Sequence, residues 1–261
     1  MGKGCGMDRR ALGQSGLDVT PIGYGAFKIG RNQGIKYPQG YELPDDRATE
    51  ELLRGLLDLG VGLVDTAPAY GSSEERIGRF IADRRDEFTL STKVGERWND
   101  GRSSYDFSPD GMEQSVRRSL ERLQCDAVDL LLVHSDGRDM ALHDTDAVDR
   151  SMRRFRDLGY AKAIGFSGKT TEGMHRAIEW SDAIMVEYHA DDRTMEDVIR
   201  AAADRGVGVL VKKGLGSGHL EPRAALDFLI RESPVRDAIS SIVIGSLSLD
   251  RMRSNVRMAC G

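Results

Sequence analysis

Lysine is scarce in this 261-residue chain. Only eight occur, Lys3, Lys28, Lys36, Lys93, Lys162, Lys169, Lys212 and Lys213, among 37 lysines and arginines. Arginine is the default surface cation, so a lysine at the tip of a strand stands out. Cysteine is rarer still. Cys5, Cys125 and Cys260 form no CxxC pair and no metal-ligand spacing, which argues against a disulfide framework and for a reducing compartment. The five histidines are scattered, with no HExxH pattern, and no metal site is expected. No apolar run approaches the roughly 20 residues of a membrane span. The opening MGKGCGMDRR lacks the apolar stretch of a signal peptide. A cytoplasmic protein without a membrane partner is expected. A net charge of -5 and the lack of a basic stripe argue against nucleic-acid binding.

What the chain does have is alternation. RALGQSGLDVTPIGYGA reads as two short strands joined by a glycine-containing turn, a hairpin signal. A Gly-, Tyr- and Pro-rich loop, 28–44, follows. Apolar runs then alternate with amphipathic helical patterns. Helices are expected at 47–60, 73–84, 109–123, 145–158, 171–180, 194–205 and 222–232, with a last one starting near Leu249. Strands are expected at 61–65, 88–93, 128–134, 161–166, 183–188, 207–212 and 240–245. With PIGYG as the first strand there are eight βα units. Continuous apolar strands are those buried on both faces, and strict alternation over this length points to a (β/α)₈ TIM barrel behind an N-terminal hairpin. An open doubly wound sheet is the runner-up, but GYGAFKIG opens a loop rather than a helix. No linker breaks the composition, so one domain, 1–261, is expected.

In such a barrel the chemistry sits at the C-terminal ends of the strands. Asp65 ends the second expected strand, Lys93 the third and His134 the fourth, and Tyr70 lies in the loop above Asp65. Each has an ordinary explanation: a turn cap, a solvated lysine, a packing tyrosine, a core histidine. Together they suit carbonyl reduction. A tyrosine of reference pKa about 10 is a reluctant acid. A nearby ammonium, Lys93, eases release of its proton, and Asp65 can hold Lys93. His134 can hydrogen-bond and orient the carbonyl oxygen.

The set Asp65, Tyr70, Lys93, His134 resembles the catalytic tetrad of the aldo-keto reductase family. The resemblance runs along nearly the whole chain, through DTAPAYGSSEERIG, STKVG, LLLVH, IGFSGK, MVEYHA and GSLSLDRMRSN. It implies a nicotinamide dinucleotide bound in extended form. Ser246, Arg251 and Asn255 match the pattern that holds the adenine and 2′-phosphate, and Gly245 replaces a lysine there. An arginine grips a phosphate well, so NADP(H) is favoured and NAD(H) is possible. KKGLGSG resembles the pyrophosphate loop, with Lys213 nearby and with Gly214, Leu215 and Gly216 offering backbone N–H groups; Gly25 is also expected near the cofactor. Three positions depart from the family pattern. Ser167 is kept, but Gly168 and Met185 replace the Asn and Gln that hold the carboxamide, and Lys212 replaces the aromatic that stacks on the nicotinamide. The chain is short beside the family. The long cofactor-clasping loop and the C-terminal tail are expected to be missing, which leaves the first loops, with Phe27, Lys28 and Trp98, to wall a substrate pocket.

The leading expectation is an NADPH-dependent reductase of a small-molecule aldehyde or ketone, acting as a monomer or weak homo-oligomer. Two rivals remain: an aldolase-like lyase forming a Schiff base on Lys93, and a cofactor-binding protein without turnover.

Overall fold

Side chains alternate between the two faces of a strand, and here that alternation separates two cores and aims the polar residues. The computed structural model describes residues 7–99, 101–144 and 147–260. The order is β1 (Arg10–Ala11), β2 (Asp18–Val19), β3 (Ile22–Gly25), α1 (Asp46–Asp58), β4 (Leu63–Asp65), α2 (Ser73–Ile81), β5 (Thr89–Val94), β6 (Glu96–Asn99), β7 (Arg102–Tyr105), α3 (Pro109–Leu123), β8 (Val128–His134), α4 (Asp139–His143), α5 (Ala147–Asp157), β9 (Ala161–Ser167), α6 (Thr171–Ile178), β10 (Ala183–Glu187), α7 (Glu196–Asp204), β11 (Gly208–Lys212), α8 (Pro222–Asp227), β12 (Ser241–Ile244) and α9 (Leu249–Cys260). Strands β3, β4, β5, β8, β9, β10, β11 and β12 pair in parallel and close on themselves. The fold is the (β/α)₈ barrel that the alternation predicts.

Inside the barrel lie Leu63, Leu130, Leu132, Ala163, Ala183, Met185, Leu210 and Val243, joined by Leu12, Leu17 and Val19 of the hairpin region. The residues of opposite parity, among them Val64, Leu90, Leu131, Val133, Ile164, Ile184 and Val209, pack outward in the larger core with the helices. The β1–β2 hairpin plugs the N-terminal end. Gln14 N donates to Gly206 O at 2.7 Å. Gly13 has φ +57°, and a Cβ there would sit 2.3 Å from Gly208 N, so backbone meets backbone at this plug.

Several boundaries differ from expectation. The stretch after β5 forms an antiparallel hairpin, β6–β7, with Glu96 opposite Tyr105 and Trp98 opposite Ser103. The short helix α4 precedes α5. The expected start of α5 at 145 lies outside the described residues. The helix expected at 222–232 is α-helical only to Asp227 and continues as a wider π-type turn, Phe228–Glu232, that buries both Phe228 and Leu229. Among the described residues no helix is long and apolar enough to cross a membrane.

Candidate active site

The inward parity of the interior core continues to the strand tips. Leu63 leads to Asp65, Ser91 to Lys93, Leu132 to His134, Gly165 to Ser167, Met185 to Glu187 and Leu210 to Lys212. Cross-strand register pairs Asp65 with Ser91, His134 with Ser167, and Glu187 with Lys212. Six polar side chains therefore crown one mouth.

At one side Lys93 is 1 % and Asp65 2 % exposed. Lys93 Nζ donates to Asp65 Oδ2 at 2.6 Å and to Thr66 O at 2.8 Å. Ser91 Oγ donates to Asp65 Oδ1 at 3.0 Å. Lys93 Nζ also lies 4.8 Å from the centre of the Tyr70 ring. Burial alone lowers the pKa of Lys93, but Asp65 and the Tyr70 phenol raise it more, and the net shift is upward. The expectation for Tyr70 needs correction in its balance. Burial pushes the phenol up, Lys93 pulls it back only in part, and the net shift is also upward. Desolvation of the phenolate wins over a single ammonium that is already paired.

The Tyr70 loop is fixed by close backbone approach. A Cβ on Gly30 would lie 2.1 Å from Tyr70 O, and Gly71, at φ +62°, has its Cβ position 2.2 Å from Gly30 O. Only glycine fits at both places. Arg31 Nη1 donates to Ala69 O at 3.0 Å, and Ser73 Oγ links Ala26 O and Thr66 Oγ1. Phe27 packs edge-on against Tyr70 at 5.1 Å between ring centres. Trp98 carries Arg31, whose Cζ is 3.2 Å from the indole centre. Behind this loop a cavity of about 220 Å³ opens between Pro68, Arg97, Trp98 and Arg118; the tetrad does not line it.

His134 stands edge-on to Tyr70, with ring centres 6.1 Å apart. Its Nδ1 lies 3.0 Å from Glu96 Oε2, close but too poorly aligned for a strict hydrogen bond. Burial lowers the pKa of His134, Glu96 opposes this, and Lys93 and Lys212 reinforce it; the net shift is downward. Burial would raise Glu96, but His134, Ser103 and Arg31 hold it down, at about 2. Ser103 Oγ donates to Glu96 Oε1 at 2.6 Å. Glu96 and Ser103 have no place in the expected site, because the hairpin that carries them reads as loop in the sequence. The signal was present: an Asp-Gly pair at 100–101 between two short runs marks a hairpin.

The other side of the mouth differs from expectation. Lys212 Nζ donates to Ser167 Oγ at 2.9 Å and to Gly168 O at 3.0 Å. It thereby engages the Ser167 hydroxyl, the one polar side chain of the carboxamide set that this chain keeps. Lys213 takes Glu187. Gly168 has a physical reason: a Cβ there would meet Met174 Sδ at 2.4 Å and Asp139 Oδ2 at 2.8 Å. Asp139, from α4, accepts from Lys169 N at 2.6 Å and Thr170 N at 2.7 Å, so its carboxylate fills the space an asparagine side chain needs. Met185 is 1 % exposed among the interior apolar residues and has no polar group to offer. Glu187, His189 and Asp192 bring ligand atoms within 4.8 Å of one another, but Glu187 is already paired with the Lys213 ammonium.

Farther out, Gly216 N donates to Lys213 O at 2.7 Å, so this N–H is spent within the turn; those of Gly214 and Leu215 have no acceptor among the described residues. Ser246 Oγ is engaged with Ser248, and Asn255 is buried on α9. Gly25 pairs with Asp65, and its Cβ position is 3.7 Å from Gly245 N. Arg251 is exposed. Lys28, expected in the substrate wall, lies with Nζ 4.0 Å from the Tyr37 ring centre; burial and then the charge of Arg251 lower its pKa. Neither cation has a carboxylate partner among the described residues, a donor set that fits a phosphate dianion. The residues present thus fit the phosphate end of a nicotinamide dinucleotide, while its carboxamide end has Lys212 in attendance.

Eight parallel strands with their polar residues gathered at the C-terminal mouth define a (β/α)₈ barrel with one candidate active site. The sequence model of the aldo/keto reductase family matches residues 21–258. The chain is 29 % identical over 238 residues to aldo-keto reductase YhdN of Bacillus subtilis, covering 88 % of this chain and 69 % of that protein. It is 30 % identical over 242 residues to D-threo-aldose 1-dehydrogenase of a Pseudomonas species, covering 80 % and 70 %. A solved Pseudomonas aeruginosa protein, PA4992, assigned to the aldo-keto reductases, superposes with a TM-score of 0.87 at 38 % identity, covering 97 % of this chain and 94 % of that one. The chain belongs to the aldo/keto reductase family, and membership implies NAD(P)H-dependent oxidoreduction of carbonyl compounds.

Proposed function

We propose that this protein is an NADPH-dependent reductase of hydroxylated aldehydes, with Tyr70 as proton donor. The reading rests above all on the buried Lys93–Asp65 pair, at 2.6 Å, beneath the Tyr70 ring. A bound nicotinamide would supply the hydride. Tyr70, its pKa raised by burial, carries its proton at neutral pH and can give it to the developing alkoxide. The phenolate left behind is stabilised by Lys93, whose own charge Asp65 maintains.

His134 supports the substrate class. With Nδ1 turned to Glu96, Nε2 is the ring nitrogen left for a substrate. In the neutral form favoured by burial, Nε2 accepts a hydrogen bond. A carbonyl oxygen cannot donate one; a hydroxyl beside the carbonyl can. An aldose-like compound satisfies both groups, with its carbonyl oxygen to Tyr70 and its neighbouring hydroxyl to His134. The relative named for D-threo-aldose oxidation is in keeping with this. Lys28, whose pKa the charge of Arg251 lowers, and Arg251 itself support NADPH over NADH, because two cations without carboxylate partners suit a 2′-phosphate.

The lyase reading on Lys93 is disfavoured by its contacts. Its ammonium donates to Asp65 and Thr66 O and interacts with the Tyr70 hydroxyl, which leaves no lone pair for attack. Loss of NADPH absorbance on adding aldoses, against simple alkyl aldehydes, tests the proposal. Faster turnover of hydroxylated substrates supports it. Tight NADPH binding without oxidation by any aldehyde overturns it.

A further inference from the structure

Lys212 is placed unlike the other lysines of the mouth. Lys93 is paired with Asp65, and Lys213 with Glu187. Among the described residues no carboxylate lies within ion-pair distance of Lys212. Its Nζ meets two acceptors, Ser167 Oγ and Gly168 O. A neutral amine has two N–H groups and one lone pair; those two contacts use both N–H groups and leave the lone pair over. Lys212 is partly exposed at the tip of β11, within reach of a compound that enters the barrel mouth.

We infer that Lys212 is a nucleophilic amine that condenses reversibly with aldehydes in the mouth, a covalent carbonyl-binding site separate from the tetrad. The inference rests on the reading that this mouth admits carbonyl compounds. The amine lone pair attacks the carbonyl carbon. The C–N bond forms as the C=O π pair moves to oxygen, and the proton released by nitrogen ends on that oxygen, giving a carbinolamine. With one proton taken from solvent the hydroxyl leaves as water, and the product is an iminium. No oxidant or reductant is required.

The surroundings favour the neutral amine. Burial, then the charges of Lys213 and Lys93, lower its pKa to about 7; Lys169 adds to this and Glu187 opposes it. His134 on β8 also feels its charge. The amine is thus available near neutrality, whereas an ordinary solvated lysine is almost fully protonated there.

Pyridoxal is a suitable probe, because its imines absorb visibly and borohydride fixes them as secondary amines. The cofactor-free protein is incubated with pyridoxal, reduced and mapped by peptide mass spectrometry. One label per chain is expected, on Lys212, rising through about pH 7 and levelling above it. Lys212→Met and Lys212→Arg should each cut labelling by at least about tenfold; the second variant keeps a cation in place, so a folding defect cannot mimic the loss. Tyr70→Phe should label like the wild type. Wild-type rates of labelling in both Lys212 variants, or labels spread over Lys36, Lys162 and Lys169, overturn the inference. Failure of the reductase reading shows separately, as absence of NADPH oxidation by the wild type whatever the labelling.

Discussion

Lys93 and Lys212 end two strands of one barrel, at the same inward parity, yet their chemistry is opposite. Lys93 is sealed from water but meets a carboxylate at 2.6 Å, so burial strengthens the pair and the ammonium persists. Lys212 meets only a hydroxyl and a carbonyl, so burial is not offset, the charges of Lys213 and Lys93 add to it, and its pKa falls to about 7. Burial penalises the ammonium of both lysines; at Lys93 a carboxylate in contact outweighs that penalty, and at Lys212 nothing does.

The comparison breaks most severely at Lys93. Lys93→Met leaves Asp65 buried without its cation, and removal of one partner from a buried pair costs on the order of 3–5 kcal/mol. Chemical denaturation should show the loss, together with near-abolished carbonyl reduction. A fully stable variant would mean that water relieves Asp65. Tyr70→Phe should leave stability and NADPH affinity nearly unchanged while lowering kcat by about 10²–10⁴-fold. A mild loss would remove Tyr70 from the proton path.

Glu96→Gln tests the junction between the two halves. His134 loses the charge that opposes burial, so its titration, followed by NMR, should move further down, with kcat falling about tenfold. An unmoved histidine signal would show that the 3.0 Å contact carries no charge coupling.

Lys212→Met sharpens the contrast with Lys93→Met, because no carboxylate is left stranded; the large loss of stability expected at Lys93 should be absent. The contribution of Lys212 to wild-type stability varies with pH. The folded amine titrates near 7 and the unfolded one near 10.5, so in that window the unfolded state binds more protons and stability rises with pH. The variant should lack that rise, as thermal unfolding across the window will show.

The smallest effect is at Arg251. It is exposed, so Arg251→Ala should weaken NADPH by about 1 kcal/mol, roughly fivefold, and NADH hardly at all. Equal weakening of both cofactors in fluorescence titrations would place the 2′-phosphate elsewhere.

The tetrad was legible because strand parity is local. Leu63 and Leu132 point inward, so Asp65 and His134, each two residues on, must do so too. Glu96 was missed because the hairpin that carries it pairs only with itself and lies outside the alternation that made the barrel evident. Asp139 was missed for a similar reason: α4 is one short turn-sized helix, and its cap on the loop after β9 joins residues 30 apart. The sequence alone therefore determined the barrel, its polar mouth and the identity of the strand-tip residues, because periodicity and turn chemistry act over a few residues. Which lysine keeps its proton, why position 168 has no room for a side chain, and which carboxylate faces His134 were decided only in the tertiary structure. Those outcomes depend on distances between strand tips and loops far apart in the chain, and Coulomb and desolvation energies change steeply over those few ångströms.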